Sequence, residues 1–170
     1  MSSLPRKDAG ALEIRPATPS DAGDVAELLG VLGYPATAAE VRERLGRMDR
    51  LDWAVTLVAE LEGRAVGIVT GHVLPSIHST PPVAWLTTLV VNEALQGRGI
   101  GAQLTRAIEG WAREQGAVRL SLTSGLQRAG AHAFYERLGY ERTGVRLTKS
   151  LQPGTPAYPV TNRPEKPSVR

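Results

Sequence analysis

The run Gln96-Gly97-Arg98-Gly99-Ile100-Gly101 constrains this chain more than any other. Residues 86–91, LTTLVV, precede it as a strand pattern, and a short polar link at 92–95 joins the two. An amphipathic helical pattern follows directly. Three glycines in five positions at a strand-to-helix junction expose a row of backbone N–H groups at a helix start. Those first-turn donors have no partner within the helix, the helix dipole adds partial positive charge, and Arg98 adds a full one. The segment therefore predicts an anion site, usually for a phosphate. A glycine-rich turn without a ligand is the plainer alternative, but such a turn rarely needs three glycines and an arginine at a helix start.

Two nucleotide-type patterns overlap here. Residues 97–102 fit the G-x-G-x-x-[GA] dinucleotide fingerprint, which requires a first strand–helix unit and an acid about 20 residues on to hold a ribose. Several strand patterns precede this loop, and the following strand ends in Thr123-Ser124 with no acid. The other pattern is [QR]-x-x-G-x-[GA], met by Gln96, Gly99 and Gly101.

The rest of the chain reads as one α/β domain over 11–152. Residues 1–10 read as a disordered terminus, and 153–170 as a flexible, proline-rich basic tail. Residues 12–15 alternate as a first strand closed by Pro16. Thr18-Pro19-Ser20-Asp21 starts a helix that buries Val25, Leu28, Leu29 and Leu32 and ends at Gly33. Thr37 and Glu40 form a capping box for a second helix, with Val41, Leu45 and Met48 inward. Residues 53–60 and 65–74 predict a hairpin about Glu62-Gly63, with Pro75 stopping the ladder and a loop at 78–82. Strand 83–91 completes an antiparallel meander. Helix 99–115 turns Ile100, Leu104, Ala107, Ile108 and Trp111 to one side, and Gly116 ends it. Strand 118–122, helix 130–138 ended by Gly139, and closing strands at 140–143 and 145–151 follow.

Composition narrows the classes. The chain has 170 residues, enough for a sizeable core, and no cysteine, which excludes disulfides, a thiol nucleophile and thiolate metal sites. The formal charge of +3 sits in the ends: Arg6, Lys7 and Asp8 at the start, and Arg163, Glu165, Lys166 and Arg170 at the close. The body between is neutral, so no nucleic-acid partner is expected. No apolar run is long enough to cross a membrane and no signal-peptide core is present, so the expectation is a cytoplasmic protein without a membrane partner. No histidine pair has metal-ligand spacing, and no metal is expected.

A second motif stands downstream of the glycine loop: Ala131-His132-Ala133-Phe134-Tyr135-Glu136-Arg137-Leu138-Gly139-Tyr140. It is similar to the A-x-x-[FL]-Y-[EK]-x-x-G-[FY] segment of the GCN5-related N-acetyltransferase (GNAT) family. With the [QR]-x-x-G-x-[GA] loop at the family's spacing, and the same order of elements over about 12–151, the chain resembles that family. The resemblance implies a mixed, mostly antiparallel central sheet of about six to seven strands flanked by about four helices. It implies an acetyl-coenzyme A-dependent N-acyltransferase that moves acetyl to a primary amine, expected to belong to a small molecule, within a ternary complex. An acyl-coenzyme A-binding or regulatory module without turnover is the alternative. Family members are often dimers, so a homodimer through the late strands or the 130–138 helix is a further expectation.

The resemblance also assigns residues. Leu89, Val90 and Val91 would offer backbone groups to the pantetheine arm. Gln96, Gly97, Arg98, Gly99, Ile100, Gly101 and Ala102 would hold the pyrophosphate. Many members have Asn seven residues before the motif tyrosine; here Arg128 stands there, and reaches either coenzyme groups, an acidic substrate or solvent. Tyr135 carries over as general acid, since a phenol near pKa 10 can protonate a departing thiolate whose conjugate acid lies around 8.5, or stabilise it by a hydrogen bond. By periodicity alone Tyr135 is a core tyrosine sharing a face with Ala131 and Leu138. An ammonium must also lose a proton before it attacks. Thr87 and Thr88 stand where some relatives place a glutamate, and neither is basic. His72, His78, Glu93 and His132 are the candidates for the base, with His72 first; a packing histidine is the competing reading.

Overall fold

Residues 11–77 and 79–154 are described by a computed structural model, and they divide after Ser121 into two compact units. The expected disordered start, most of the expected tail and His78 lie outside the described residues. Among the described residues the sheet has five strands in the order β1-β2-β3-β4-β5.

In the first unit, β1 (Glu13–Pro16) passes through a 3-10 turn at Pro19–Asp21 into α1 (Ala22–Leu32), which Gly33 closes in the left-handed conformation. The capping box at Thr37 is formed: Glu40 N–H donates to Thr37 Oγ1 at 3.2 Å, and Thr37 N–H donates to the Glu40 carboxylate at 2.8 Å. It opens α2 (Ala38–Met48). Strands β2 (Ala54–Leu61), β3 (Arg64–Ser76) and β4 (Ser79–Val91) form the antiparallel meander. β1 pairs antiparallel with β2, and α3 (Ile100–Glu114) connects β4 to β5 (Leu120–Leu122), the strand at which the units divide.

Two sequence expectations are corrected here. Pro75 does not stop the ladder: β3 runs on to Ser76, and the register shifts between Leu74 and Ser76, which lets a residue without an N–H be skipped. Residues 79–82 are not loop but the start of β4.

The two faces of the meander are built differently. On one, Ala22, Val25 and Leu28 of α1 and Val41 and Leu45 of α2 pack with Val58, Ile68 and Val90. On the other lies α3, whose Leu104 and Ile108 are fully buried, each worth about 1.5–3 kcal/mol relative to exposure. Glycines let α3 sit this close. A Cβ on Gly67 would fall 2.9 Å from Leu104 Cδ1, and one on Gly71 would fall 2.9 Å from Ile108 Cδ1 and 3.1 Å from the Trp85 carbonyl. Thr105, also fully buried in α3, donates its hydroxyl to the Gly101 carbonyl at 2.8 Å, which satisfies the polar group in place.

An ionic cluster ties β1 to the helical entry. Arg15 donates to both carboxylate oxygens of Asp21, at 2.7 and 2.9 Å, and to Glu60 of β2 at 2.6 Å. Asp21 is only 6% exposed and also accepts from Thr18 N–H at 2.7 Å. The Arg15 hydrogen bonds hold its carboxyl below the usual range, against the opposing effect of burial.

The second unit carries α4 (Ala129–Arg137), followed by Gly139 at φ 90°. The closing strands expected at 140–143 and 145–151 are not formed, so the sheet has five strands rather than six to seven. Val145, Leu147 and Leu151 alternate as a strand would, yet each is at least 85% exposed. Alternation fixes which way side chains point; it supplies no neighbouring backbone for a ladder. Arg142 instead bonds to Glu136 of α4 at 2.6 Å, and Arg146 to Thr123 at 2.9 Å.

Asp21→Asn is expected to cost about 3 kcal/mol in urea unfolding at pH 7. Because the folded carboxyl is the stronger acid, its contribution is complete above the ordinary carboxylate range and is lost as pH falls through the lowered value. The gap between variant and wild type should therefore narrow below about pH 4. Gly71→Ala should destabilise by about 1–3 kcal/mol through overpacking. Combined with Ile108→Val, which alone costs about 1 kcal/mol, it should lose less than the sum, because the shorter side chain makes room for the new methyl.

Candidate functional site

The glycine loop begins where β4 ends. Asn92 N–H donates to the Val66 carbonyl at 2.9 Å, and the Asn92 side chain accepts from Ala94 N–H at 3.0 Å, closing a 3-10 turn at Glu93–Leu95. The Gln96 side-chain amide donates back to the Val91 carbonyl at 3.1 Å, pinning the loop to the strand end. Gly97 and Gly99 then take φ of 78° and 82°, in the left-handed region that L side chains rarely adopt. A Cβ at either would meet no atom within 4 Å, so conformation, not crowding, is what glycine supplies here.

The helix start has the chemistry expected for an anion. The first α-helical bond runs from Gln103 N–H to the Gly99 carbonyl at 3.1 Å, which leaves the N–H groups of Ile100, Gly101 and Ala102 without an acceptor inside the helix. No acid stands in that first turn. Arg98 is exposed, and the loop from Gln96 to Gly99 is open to solvent. A phosphate-bearing group fits this donor set: several amides, one guanidinium and the positive end of a 15-residue helix.

Leu89, Val90 and Val91 form the C-terminal part of β4 and pair with Val69, Ile68 and Gly67 of β3. The hydrogen bonds between β4 and the 118–119 run lie toward the other end of the strand: Ala84 N–H to the Arg119 carbonyl at 2.9 Å, and Val118 N–H to the Pro82 carbonyl at 3.4 Å.

His72 stands on β3 on the α1–α2 face, beyond the part those helices cover. Ala54 and Trp85 are its neighbours in register, and Thr70 lies two residues away on the same side. The Trp53 ring meets the imidazole edge-on, with centroids 6.0 Å apart and planes at 84°. Partial burial lowers the His72 pKa below its ordinary 6.5, so the ring is neutral at pH 7 and can accept a proton. A bulge in β4 brings Thr87 to the same face, where its hydroxyl and that of Thr70 are 2.8 Å apart. Thr56, opposite Thr70 on β2, has a buried hydroxyl with no protein partner. Alternation along β3 puts Thr70 on the His72 side, and Thr87 stands where some relatives place a glutamate; the sequence patterns do not bring Thr56, Trp53 or Trp85 to this face. The bulge that recruits Thr87 has no sequence mark.

Among the other bases considered, Glu93 is exposed in the 3-10 turn and His132 is half-buried on α4. Tyr135 and Arg128 belong to the second unit. Tyr135 packs edge-on against Phe134 and Tyr140, with ring centroids 5.0 and 5.5 Å away. Burial pushes its phenol up to about 12, partly opposed by the positive charge of Arg128. It is therefore protonated throughout the working range of pH. Arg128 is exposed at the N-terminal cap of α4.

The chain is similar to known proteins in sequence and in fold. An aminoglycoside N(6')-acetyltransferase type 1 from Stenotrophomonas maltophilia is 31% identical over 79% of this chain and 90% of its own length. An aminoalkylphosphonate N-acetyltransferase from Salmonella typhimurium is 35% identical over 52% of this chain, which spans 58% of that protein. The solved structure of an aminoglycoside N-acetyltransferase, AAC(6')-Iy, in complex with coenzyme A superposes with a TM-score of 0.74 over 87% of this chain and 98% of that one, at 17% identity; what is shared there is the fold. The family model described as Acetyltransferase (GNAT) family matches residues 24–140, a span that takes in the first helix, the meander, the glycine loop and the tyrosine helix, and the chain belongs to that family.

Proposed function

We infer that the chain transfers an acetyl group from acetyl-coenzyme A to a primary amine of a small molecule while both are bound. The observation that carries this reading is the amide cradle at the start of α3, pinned to the end of β4 by Gln96 and flanked by Arg98. Its donors suit the coenzyme's pyrophosphate, with 97–102 around the phosphates and the backbone of Leu89, Val90 and Val91 available to the pantetheine arm. Arg128 is assigned to the coenzyme by its place in the family motif, not by a position beside the cradle. The amine is assigned to a small molecule because relatives carry the names of aminoglycoside and aminoalkylphosphonate acetyltransferases and because the body of this chain, residues 11–160, carries no net charge to attract a charged protein tail.

The bound coenzyme supplies acetyl as a thioester; the side chains move the protons. His72, neutral at pH 7, accepts the proton that the ammonium must lose before its lone pair can attack. The hydroxyls of Thr70 and Thr87 offer polar partners beside it. Tyr135, held protonated by its raised pKa, donates a hydrogen bond to the departing thiolate and stabilises its charge as the C–S bond breaks.

Coenzyme A release from acetyl-coenzyme A, followed with a thiol reagent across a panel of amines, tests the reading directly; with no cysteine the protein adds no background. Release with an amine class supports the transferase. Binding of acetyl-coenzyme A, seen as a raised melting temperature, with no release for any amine would favour the module without turnover. Tyr135→Phe should lower kcat about 100-fold with coenzyme affinity within about twofold; unchanged turnover removes Tyr135 from the chemistry. His72→Gln should lower kcat/KM by about 100-fold. The wild-type profile should fall as pH drops through a value below 6.5, because protonated imidazole cannot accept, and the variant should lack that limb. An identical limb in both would assign the base elsewhere.

A further inference from the structure

The groups around His72 include two that proton transfer does not need. Trp53 and Trp85 are 46% and 37% exposed, although each is among the largest apolar side chains of the protein. Trp53 touches the imidazole edge-on, and Trp85 is the direct cross-strand partner of His72. The neighbouring register positions on this face, Ala54, Thr56, Thr70 and Thr88, carry no charge. The result is a floor of hydroxyls with two solvent-facing indoles on either side of one imidazole.

A face that receives amines ordinarily needs something to hold a cation. A carboxylate would do so, but it would also favour the protonated form of the amine and oppose the deprotonation that attack requires. An indole attracts an organic ammonium through the negative face of its ring, and tryptophan is the strongest of the aromatic residues at this. The attraction grows as the cation is desolvated.

We propose that Trp53 and Trp85 form an aromatic subsite for a second, non-reacting ammonium group of the acceptor, which is therefore a molecule with at least two amino groups. One nitrogen stays protonated over an indole, and the other stands at His72. The proposal rests on the assignment of this face to the acceptor, and it is tested without turnover.

The test is a titration of the full chain with choline, followed through the indole N–H signals in 1H–15N spectra. Choline's nitrogen carries no proton and cannot be acylated. Its neutral isostere, 3,3-dimethyl-1-butanol, has the same shape without the charge. The chain has three tryptophans, and Trp111, on α3 against the opposite face, is the internal control. Choline should shift the Trp53 and Trp85 signals saturably, at about tenfold lower concentration than the alcohol, and leave Trp111 in place. Trp85→Leu should weaken the effect on Trp53 about tenfold, and Trp85→Phe should restore part of it. Trp53→Leu, read at Trp85, checks the subsite from its other side. Equal responses to choline and the alcohol, no saturable shift, or unchanged choline affinity in both leucine variants would overturn the proposal. Choline binding as described with no amine acylated would leave the subsite standing and the transferase reading fallen. Acylation of monoamines with no discrimination of choline would do the reverse.

Discussion

The close seating of α3 on β3 is the constraint on which the rest depends. Two positions four residues apart on one face of the strand, Gly67 and Gly71, receive Leu104 and Ile108, one helical turn apart, and neither has space for a methyl group. Because the helix axis is set by those contacts, so is the place where the helix begins. That start is the amide cradle. The loop between β4 and α3 can then be short, and Gln96 completes it by bonding to the last carbonyl of the strand. A packing requirement in the core thus fixes a polar feature at the surface.

The opposite face of the sheet is divided. Where Val58, Ile68 and Val90 point outward, α1 and α2 cover them. Farther along, the same alternation brings out Thr56, Thr70 and His72, and the covering helices do not bury the indoles beside them. Leaving half a sheet face polar sacrifices apolar burial, and it creates a surface on which a neutral imidazole can stay in reach of small molecules. At the far edge the Arg15–Asp21–Glu60 cluster links β1, β2 and the entry to α1 through hydrogen bonds.

Much of this was legible from residue order. The capping box at Thr37 and Glu40, the left-handed stops at Gly33 and Gly139, and the hairpin at Glu62-Gly63 are local chemistry, settled within a few residues. The glycine loop is local too, since φ near 80° at Gly97 and Gly99 excludes most other residues. Misreadings arose where a local rule met a non-local partner. Pro75 breaks a ladder only where its N–H would have been used, and the register slips past it. Residues 145–151 alternate as a strand yet join no ladder among the described residues, because strand pairing is a property of the neighbour.

The sequence by itself determined the helices, the hairpin turn, the glycine loop and the membership of the family, because helix caps, turns and glycine-rich loops are set by short-range sterics and hydrogen bonds. Only the tertiary structure decided which side chains share a surface. His72, Trp53, Trp85, Thr70 and Thr87 are scattered over three strand regions and meet through cross-strand register and one bulge. A single-residue shift in that register would send each side chain of a strand to the other face. Register is fixed by the burial of the whole sheet, including Gly67 and Gly71 under α3, and so no short stretch of sequence could state it.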